Sequence, residues 1–216
     1  MVEITYNINN NDVVHTFPKY YECDKNWFAN AELETKEFFI NTIKENFNII
    51  DAGAQIGMYS VLFGELANKG KVYAFEPTDT MDFLIENLKE NKIENVELYK
   101  VALSNKVGNF TDKIFKVWSQ QIIDHKEFEF ETIDNFISKN NLKIDLIKID
   151  VDSYDYEVLQ GCENFFKTQN PIVVVELNQG LSLRNYNIQQ AIDLMKSYSY
   201  KVDHFFDGDN YVFTKE

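Results

Sequence analysis

The stretch that decides the fold is Asn48-Ile49-Ile50-Asp51-Ala52-Gly53-Ala54-Gln55-Ile56-Gly57-Met58-Tyr59-Ser60. Its apolar, β-branched beginning indicates a buried strand, and its two glycines indicate a turn that leads into a helix. Because glycine has no Cβ and tolerates positive φ, a ligand could approach the bare backbone at Gly53 and Gly57. The first N–H groups of the helix have no partner within the helix. The stretch therefore predicts a binding turn for a nucleoside-bearing cofactor, with Asp51 at the end of the strand.

Strands and helices alternate along the chain beyond this turn. The predicted strands are 72–75, 96–102, 144–149 and 171–177, and the predicted helices are 58–68, a segment from the Thr78–Thr80 cap to about 91, 132–140, 154–167 and 188–199. Residues 105–131 between them form an excursion of strands and loop. This order is typical of βαβ units, so we expect an α/β fold with a Rossmann-like, doubly wound, mostly parallel sheet. A turn at 207–210 between two apolar segments predicts an antiparallel C-terminal hairpin strand.

The first 47 residues precede the alternating pattern. Residues 2–8 and 13–17 predict a hairpin, and residues 31–47 predict a helix with an apolar stripe. The residues of that stripe are Leu33, Phe38, Phe39 and Ile43. We expect residues 1–47 to cover one side of a core formed by residues 48–216, the side where a substrate (the acceptor) would bind, within one compact domain.

Composition limits the functional classes. The chain has 216 residues and a net charge of −14, from 21 basic and 35 acidic side chains, and this charge disfavours a nucleic-acid partner. Hydrophobic residues make up 44% of the chain, enough for a large core, yet no apolar run reaches membrane-spanning length and no signal peptide is evident. Cys23 and Cys162 form no CxxC pattern and are expected to be reduced. We therefore predict a soluble, cytoplasmic protein without a membrane partner, and a homo-oligomer is possible.

Two acidic residues mark the ends of neighbouring strands. Asp51 ends the first strand of the core and Glu76 ends the second. In doubly wound folds, a carboxylate in the second position accepts hydrogen bonds from the ribose hydroxyls of a cofactor. An adenine ring could then lie against Val101, Ala102 and Leu103.

The glycine spacing narrows the cofactor class. Three residues separate Gly53 from Gly57, and Gln55 occupies the position where a dinucleotide fingerprint has its middle glycine. No lysine follows the turn as in a phosphate-binding P-loop. The pattern favours a cofactor that carries one nucleoside and no phosphate chain.

Four ordered blocks resemble the FkbM-type family of class I S-adenosylmethionine-dependent methyltransferases. They are residues 48–60, Val72-Tyr73-Ala74-Phe75-Glu76-Pro77, Val101-Ala102-Leu103-Ser104, and Asp145 to Gly161. One departure is that the family's Asp-Val-Glu-Gly reads Asp150-Val151-Asp152-Ser153 here, which puts the geometry after the fourth strand in question.

The resemblance implies S-adenosylmethionine as the cofactor. It implies that the turn from Gly53 to Gly57 lies against the methionine portion, that Glu76 holds the ribose, and that Asp51 lies near the methionine amine. The implied cofactor-binding residues are Asp51, Gly53, Ala54, Gln55, Gly57, Tyr59, Ser60, Glu76, Pro77, Ala102, Leu103 and Asp150.

The candidate catalytic residues follow the later strands. Asp150, Asp152 and Glu176 lie at carboxyl ends of strands, where a methyl acceptor would be aligned and a hydroxyl deprotonated. Asp150 could instead be a helix cap or salt-bridge partner, and Asp152 could cap the helix that follows it. Glu176 is expected to orient the acceptor.

Other side chains could contribute to the same site. Asp150, Glu176 and Asn178 resemble the oxygen ligands of metal-dependent O-methyltransferases, but most such clusters bind no metal, and we predict none. His125 could reach the pocket as a base or lie on the surface. The aromatic residues Tyr20, Tyr21, Trp27 and Phe28 could line the acceptor site or pack in the core.

The predicted function is methyl transfer from S-adenosylmethionine to a hydroxyl of a sugar, a glycan precursor or a similar small metabolite. Three alternatives stay open: an N-methyltransferase, an oxidoreductase of the NAD type, and a non-catalytic binding module with the same fold. Fold alone does not decide among acceptors.

Overall fold

The computed structural model describes residues 1–19, 29–117 and 122–216. The strands are β1 (Val2–Ile8), β2 (Asn11–Phe17), β3 (Asn48–Ala52), β4 (Lys71–Phe75), β5 (Val96–Tyr99), β6 (Ala102–Leu103), β7 (Gly108–Val117), β8 (Ile122–Glu131), β9 (Leu146–Ile149), β10 (Ile172–Glu176), β11 (Tyr200–Phe206) and β12 (Asn210–Lys215). The helices are α1 (Leu33–Thr42), α2 (Met58–Leu66), α3 (Met81–Glu90), α4 (Ile133–Asn140), α5 (Asp155–Gln160), α6 (Glu163–Thr168) and α7 (Ile188–Ser197), and a 3₁₀ helix spans Gln179–Arg184.

The centre of the fold is a seven-stranded sheet in the order β11-β12-β10-β9-β3-β4-β5. The strands from β10 to β5 are parallel, whereas β12 runs antiparallel to both β10 and β11. This arrangement confirms the predicted Rossmann-like sheet with an antiparallel C-terminal hairpin. Parallel order also brings the carboxyl ends of β3, β4, β9 and β10 to one edge, where the candidate site lies.

Apolar side chains on both faces of the sheet explain why it is buried. Successive residues of a strand point to opposite faces, so Ile49 and Ile50 enter two different hydrophobic clusters. The Ile50 cluster lies under α4 to α7, and the Ile49 cluster lies under α1, α2 and α3. Strands covered on both sides read as continuous apolar runs, as the sequence does here.

A second sheet, in the order β6-β8-β7, forms the predicted excursion. The expectation of one strand over 96–102 was wrong, because β5 ends at Tyr99 and Ala102–Leu103 pair with Phe130 and Glu131 of β8 instead. His125 lies exposed on β8 opposite Lys113.

The N-terminal residues pack on the core as a hairpin and a helix. The β1–β2 hairpin joins α3 through the Asn91 side chain, whose amide donates to the Thr16 carbonyl at 2.7 Å. Helix α1 is shorter than the predicted 31–47, because Ile43 is extended, and Leu33 is 55% exposed instead of buried. Tyr20, Tyr21, Cys23, Trp27 and Phe28 lie outside the described residues.

The single helix predicted over 154–167 is two helices, α5 and α6, which meet at Gly161 and Cys162. A Cβ at Gly161 would lie 2.3 Å from the carbonyl oxygen of Ser104, so the close approach of β6 requires glycine there. Cys162 is fully buried, and burial raises the pKa of its thiol.

Within residues 1–19, 29–117 and 122–216, no helix has the length and apolar character that crossing a membrane would take.

Candidate functional site

The glycine turn after β3 is held by the neighbouring strand. The N–H groups of Gly53 and Ala54 both donate to the carbonyl of Phe75, at 3.0 and 2.9 Å. Gly53 and Gly57 adopt φ of 87° and 89°, and Gln55 between them adopts 51°. The turn therefore has the left-handed backbone that its glycines predicted.

The protein's own atoms fill the space beside both glycines. A Cβ at Gly53 would lie 1.8 Å from the carbonyl oxygen of Asp150, and one at Gly57 would lie 2.3 Å from Cδ1 of Leu84. Close packing against Asp150 and α3 therefore requires glycine at both positions, and the approach of a ligand to this backbone stays a prediction. The contact also joins the turn directly to the Asp150 backbone.

Glu76 fastens the turn to the end of β4. Its Oε2 accepts from the Gln55 N–H at 3.0 Å, and its Oε1 accepts from the N–H and the hydroxyl of Thr78 at 2.8 and 2.6 Å. Burial raises the pKa of this carboxyl, and the hydrogen bonds from Thr78 and Gln55 act in the opposite direction. Each carboxylate oxygen has two lone pairs, so Glu76 can still accept bonds from ribose hydroxyls.

The residues expected to contact the adenine lie in the second sheet, not at the end of the third strand of the main sheet. Ala102 and Leu103 are 3% and 4% exposed and belong to β6. Ala102 packs with the hydrophobic residues of the second sheet, and Leu103 packs in the main core. Pro77, the remaining implied residue on this side, directly follows Glu76 and is half-buried.

Asp51 has an unused hydrogen-bond acceptor. It is 1% exposed, its Oδ2 accepts from the Ser60 hydroxyl at 2.6 Å, and its Oδ1 has no partner among the described atoms. Burial raises the pKa of Asp51 to about 6, although the nearby Lys148 ammonium lowers it. A buried carboxylate oxygen without a donor fits the ammonium group of a methionine moiety.

Lys148 is a site residue that the sequence-based interpretation missed. It lies within β9, its side chain is 2% exposed, and its Nζ donates to Oδ2 of Asp150 at 2.7 Å. The same Nζ lies 4.5 Å from the centre of the Tyr59 ring. Burial lowers the pKa of Lys148, but Asp150, Glu32 and Asp51 raise it further, so the net shift is upward. A lysine inside an otherwise apolar strand, next to an acid at the strand end, was the available signal.

Three carboxylates meet at the carboxyl edge of the sheet. Oxygens of Glu32, Asp150 and Glu176 all lie within 4.8 Å of one another. The sequence indicated Asp150 and Glu176 but not Glu32, which lies just before α1 and accepts from the Tyr59 hydroxyl and the Asn210 amide, both at 3.0 Å. Oxygen ligands at this spacing can pair with an ammonium group or hold a hard metal ion.

Glu176 is half-buried, as are the other two carboxylates, and it is held by a neighbouring amide. Asn178 donates to its Oε2 at 2.8 Å. Burial raises the pKa of Glu176 to about 11, and the charges of Asp150 and Asp155 add to the shift. The raised pKa favours the protonated form of Glu176, which suits orientation of an acceptor better than removal of its proton.

The loop after Asp150 is capped by Asp155, not by Asp152. Asp155 accepts from the N–H groups of Val151 and Ser153 at 2.9 and 3.1 Å. Of the two roles that the sequence left open for Asp152, the helix cap is not formed, because the N-cap residue of α5 is Tyr154. Asp152 and Ser153 have φ of 48° and 90°, and the second value falls where the family has glycine. Burial, reinforced by the charge of Asp150, raises the pKa of Asp152 to about 8.

Comparison with known proteins agrees with this geometry. A family model described as "Methyltransferase FkbM domain" matches residues 51–202. The hexuronic acid methyltransferase AglP of Haloferax volcanii is 26% identical over 158 residues, which cover 70% of this chain and 64% of AglP.

Solved structures of methyltransferases share the fold. The methyltransferase FkbM of Methylobacillus flagellatus superposes with a TM-score of 0.57 at 14% identity, over 80% of this chain and 44% of that one. A SAM-dependent methyltransferase of Aquifex aeolicus superposes with a TM-score of 0.52 at 16% identity, over 85% and 89% of the two chains. This chain therefore spans less than two thirds of AglP and less than half of the solved FkbM protein.

The family match confirms the resemblance carried by the four sequence blocks, and with it the methyltransferase class and S-adenosylmethionine as the cofactor of that class. The match spans the glycine turn, Glu76, Asp150 and Glu176, the residues that the structure gathers at the carboxyl edge of the sheet. The chain belongs to the FkbM methyltransferase family.

Proposed function

We propose that this protein transfers a methyl group from S-adenosylmethionine to a hydroxyl of a sugar, a glycan precursor or a similar small metabolite. One observation carries the proposal. The carbonyl of Asp150 fills the space beside Gly53, so the carboxylate at the end of β9 is adjacent to the turn that would hold the cofactor. A methyl donor in the turn would thereby lie close to a carboxylate that could bind the acceptor.

Residues on the turn side would bind the cofactor. The free oxygen of Asp51 would accept from the methionine ammonium, and Glu76 would accept from the ribose hydroxyls. The backbone from Gly53 to Gly57 and the start of α2, with Tyr59 and Ser60, would enclose the methionine portion. When bound, S-adenosylmethionine supplies an electrophilic methyl group on a positively charged sulfur.

Residues on the acceptor side would position the hydroxyl and take its proton. Oxygen–carbon bond formation accompanies cleavage of the carbon–sulfur bond, and the hydroxyl proton passes to a carboxylate. Asp150 suits this role because it follows β9 at the carboxyl edge of the sheet, and the hydrogen bond from Lys148 to its Oδ2 fixes the orientation of the carboxylate. Glu176 would orient the acceptor, and Asp152 is a second candidate base.

The charge of the site restricts the acceptor. AglP acts on a hexuronic acid, as its name says, which supports a sugar as the acceptor class. An acceptor carboxylate in the present site would face Glu32 and Asp150, with Glu176 beside them. Like charges at such distances repel strongly when partly buried, so a neutral sugar hydroxyl is the better fit unless a cation intervenes.

Calorimetric titration tests the cofactor half of the proposal. We expect S-adenosylhomocysteine to bind and NAD not to bind. Glu76→Ala should weaken S-adenosylhomocysteine at least tenfold, about 1.4 kcal/mol, because charge-assisted bonds are lost. Glu45→Ala, at an exposed residue paired with Lys69, is the control and should bind normally. Binding of NAD alone would instead favour an oxidoreductase.

Mass spectrometry tests the acceptor half. Neutral sugars and glycan precursors incubated with the protein and the cofactor should gain the mass of one methylene group, and Asp150→Asn should slow this gain far more than it weakens cofactor binding. Unaltered turnover in Asp150→Asn would leave Asp150 with a structural role. Methylation restricted to amines would support the N-methyltransferase alternative. Cofactor binding without any turnover across the panel would favour a binding module.

A further inference from the structure

We propose that Glu32, Asp150 and Glu176 bind a divalent, oxygen-preferring cation of the Mg²⁺ or Mn²⁺ type. Their oxygens lie within 4.8 Å of one another. Ligand oxygens at about 2.0 to 2.4 Å from one ion can be no more than about 4 to 4.8 Å apart, so all three can reach a common centre. This proposal replaces the sequence-based expectation of no metal.

A buried amide oxygen gives an independent indication of a missing ligand. Asn210 is 1% exposed, and it lies opposite Glu176 in the β10–β12 register. Its Nδ2 donates to Oε1 of Glu32 at 3.0 Å, which fixes the side chain at the cluster, yet its Oδ1 has no partner among the described atoms. Buried amide oxygens are nearly always satisfied, and an amide oxygen is a ligand that hard cations accept, directly or through water.

Among the described residues, a single ion pair serves the three carboxylates. Lys148 pairs with Asp150, but across the three described segments of the chain no lysine or arginine forms an ion pair with Glu32 or Glu176. A divalent cation would supply positive charge for the other two carboxylates.

The ligand set differs from the one that the sequence suggested. Asn178 was the third oxygen ligand in that alternative, but its Oδ1 accepts from the Gly180 N–H at 2.7 Å and its Nδ2 donates to Glu176. Its oxygen is therefore engaged in capping the 3₁₀ helix. Glu32 takes its place, and the Tyr59 hydroxyl orients Glu32 in the way that outer-shell partners orient metal ligands.

The role of the cation rests on the proposed function, although its binding does not. An ion between these carboxylates would neutralise the repulsion of an acceptor oxygen and could coordinate a sugar hydroxyl beside Asp150. It would also allow an acidic sugar to enter the site, because the acceptor carboxylate would then face a cation.

The test is titration of the full chain with Mn²⁺, with free Mn²⁺ followed by electron paramagnetic resonance. We expect one equivalent to bind, and the isosteric changes Glu32→Gln and Glu176→Gln each to weaken binding about tenfold or more, as loss of a charged ligand should. Glu45→Gln, which removes the same charge from the exposed pair with Lys69, is the matched control and should leave Mn²⁺ binding unchanged. Circular dichroism of each variant establishes that it is folded.

Two results would overturn the metal site. One is the absence of stoichiometric Mn²⁺ binding, or equal loss in the Glu45→Gln control. The other is Mn²⁺ binding that survives Glu32→Gln and Glu176→Gln while S-adenosylhomocysteine binding is lost, which would assign the cluster to the cofactor's ammonium. Titration of S-adenosylhomocysteine in EDTA separates this proposal from the proposed function, since cofactor binding without Mn²⁺ binding would leave the methyltransferase proposal intact.

Discussion

Replacing Gly53 with alanine tests the contact that joins the cofactor turn to the candidate catalytic strand. The new Cβ would lie 1.8 Å from the carbonyl oxygen of Asp150 and 3.1 Å from Cγ1 of Val151, at a φ of 87°. A left-handed backbone costs a non-glycine residue about 1–2 kcal/mol. Overpacking against a backbone atom costs about 1–3 kcal/mol more. We therefore expect a loss of about 2–5 kcal/mol from a total stability of about 5–15 kcal/mol for a typical domain.

Gly208→Ala provides the matched control. Gly208 has a similar φ of 94°, but a Cβ there would have no heavy atom within 4 Å. Only the backbone cost of about 1–2 kcal/mol applies to this variant. Urea denaturation of both variants, with m-values compared, isolates the steric part of the Gly53 effect. Equal losses in the two variants would refute the close approach of Asp150. Unchanged S-adenosylhomocysteine binding in Gly53→Ala would instead contradict the proposed cofactor role of the turn.

Three smaller changes probe the surroundings of the site. Ser153→Gly should raise the free energy of unfolding by about 1 kcal/mol, because Ser153 has a φ of 90°; a loss of stability in urea would contradict this strain. Asp152→Asn should stabilise the fold by an amount that grows with pH. The wild-type carboxyl has its pKa raised from 3.8 to about 8 in the folded protein, so its ionisation between about pH 4 and 8 destabilises the native state. The variant should therefore show no gain near pH 3 and an increasing gain from about pH 4 to 8. The gain should reach at least about 2 kcal/mol at pH 9 in thermal unfolding, and a pH-independent difference would exclude the titration of Asp152 as its cause. Asp207→Ala should lower the free energy of unfolding by about 1 kcal/mol, because Asp207 caps α1 by accepting from the Thr35 N–H at 2.9 Å. An unchanged melting temperature would show that this cap does not stabilise the fold.

The sheet could be predicted from the sequence because its strands carry local signals. Each core strand is a short apolar run that is covered on both faces, and such runs are visible without tertiary information. The element ends were less predictable where the deciding contact is distant. Gly161 divides α5 from α6 because Ser104 approaches it, and β5 ends at Tyr99 because Ala102 pairs with Phe130. Neither partner is adjacent in the chain.

The candidate site was predictable to the extent that its residues end strands. Four of them lie at or next to the carboxyl end of a strand, and parallel order alone brings such ends together. They are Asp51, Glu76, Asp150 and Glu176. Glu32 gives no such signal, because its place depends on Tyr59 and on Asn210 of the last strand.

The same contacts indicate where acceptor specificity arises. The loop after β9 is held on one side by Gly53 and on the other by the Asp155 cap, so Asp150 and the glycine turn form one packed unit. In the proposed function this unit would align the donor with one carboxylate only, an arrangement that can serve methyl transfer to many acceptors. Discrimination must then come from groups that reach this unit from elsewhere. Glu32 enters from outside the strand–helix repeats and meets Glu176 across the site, so these two carboxylates, with any cation between them, are expected to select the acceptor.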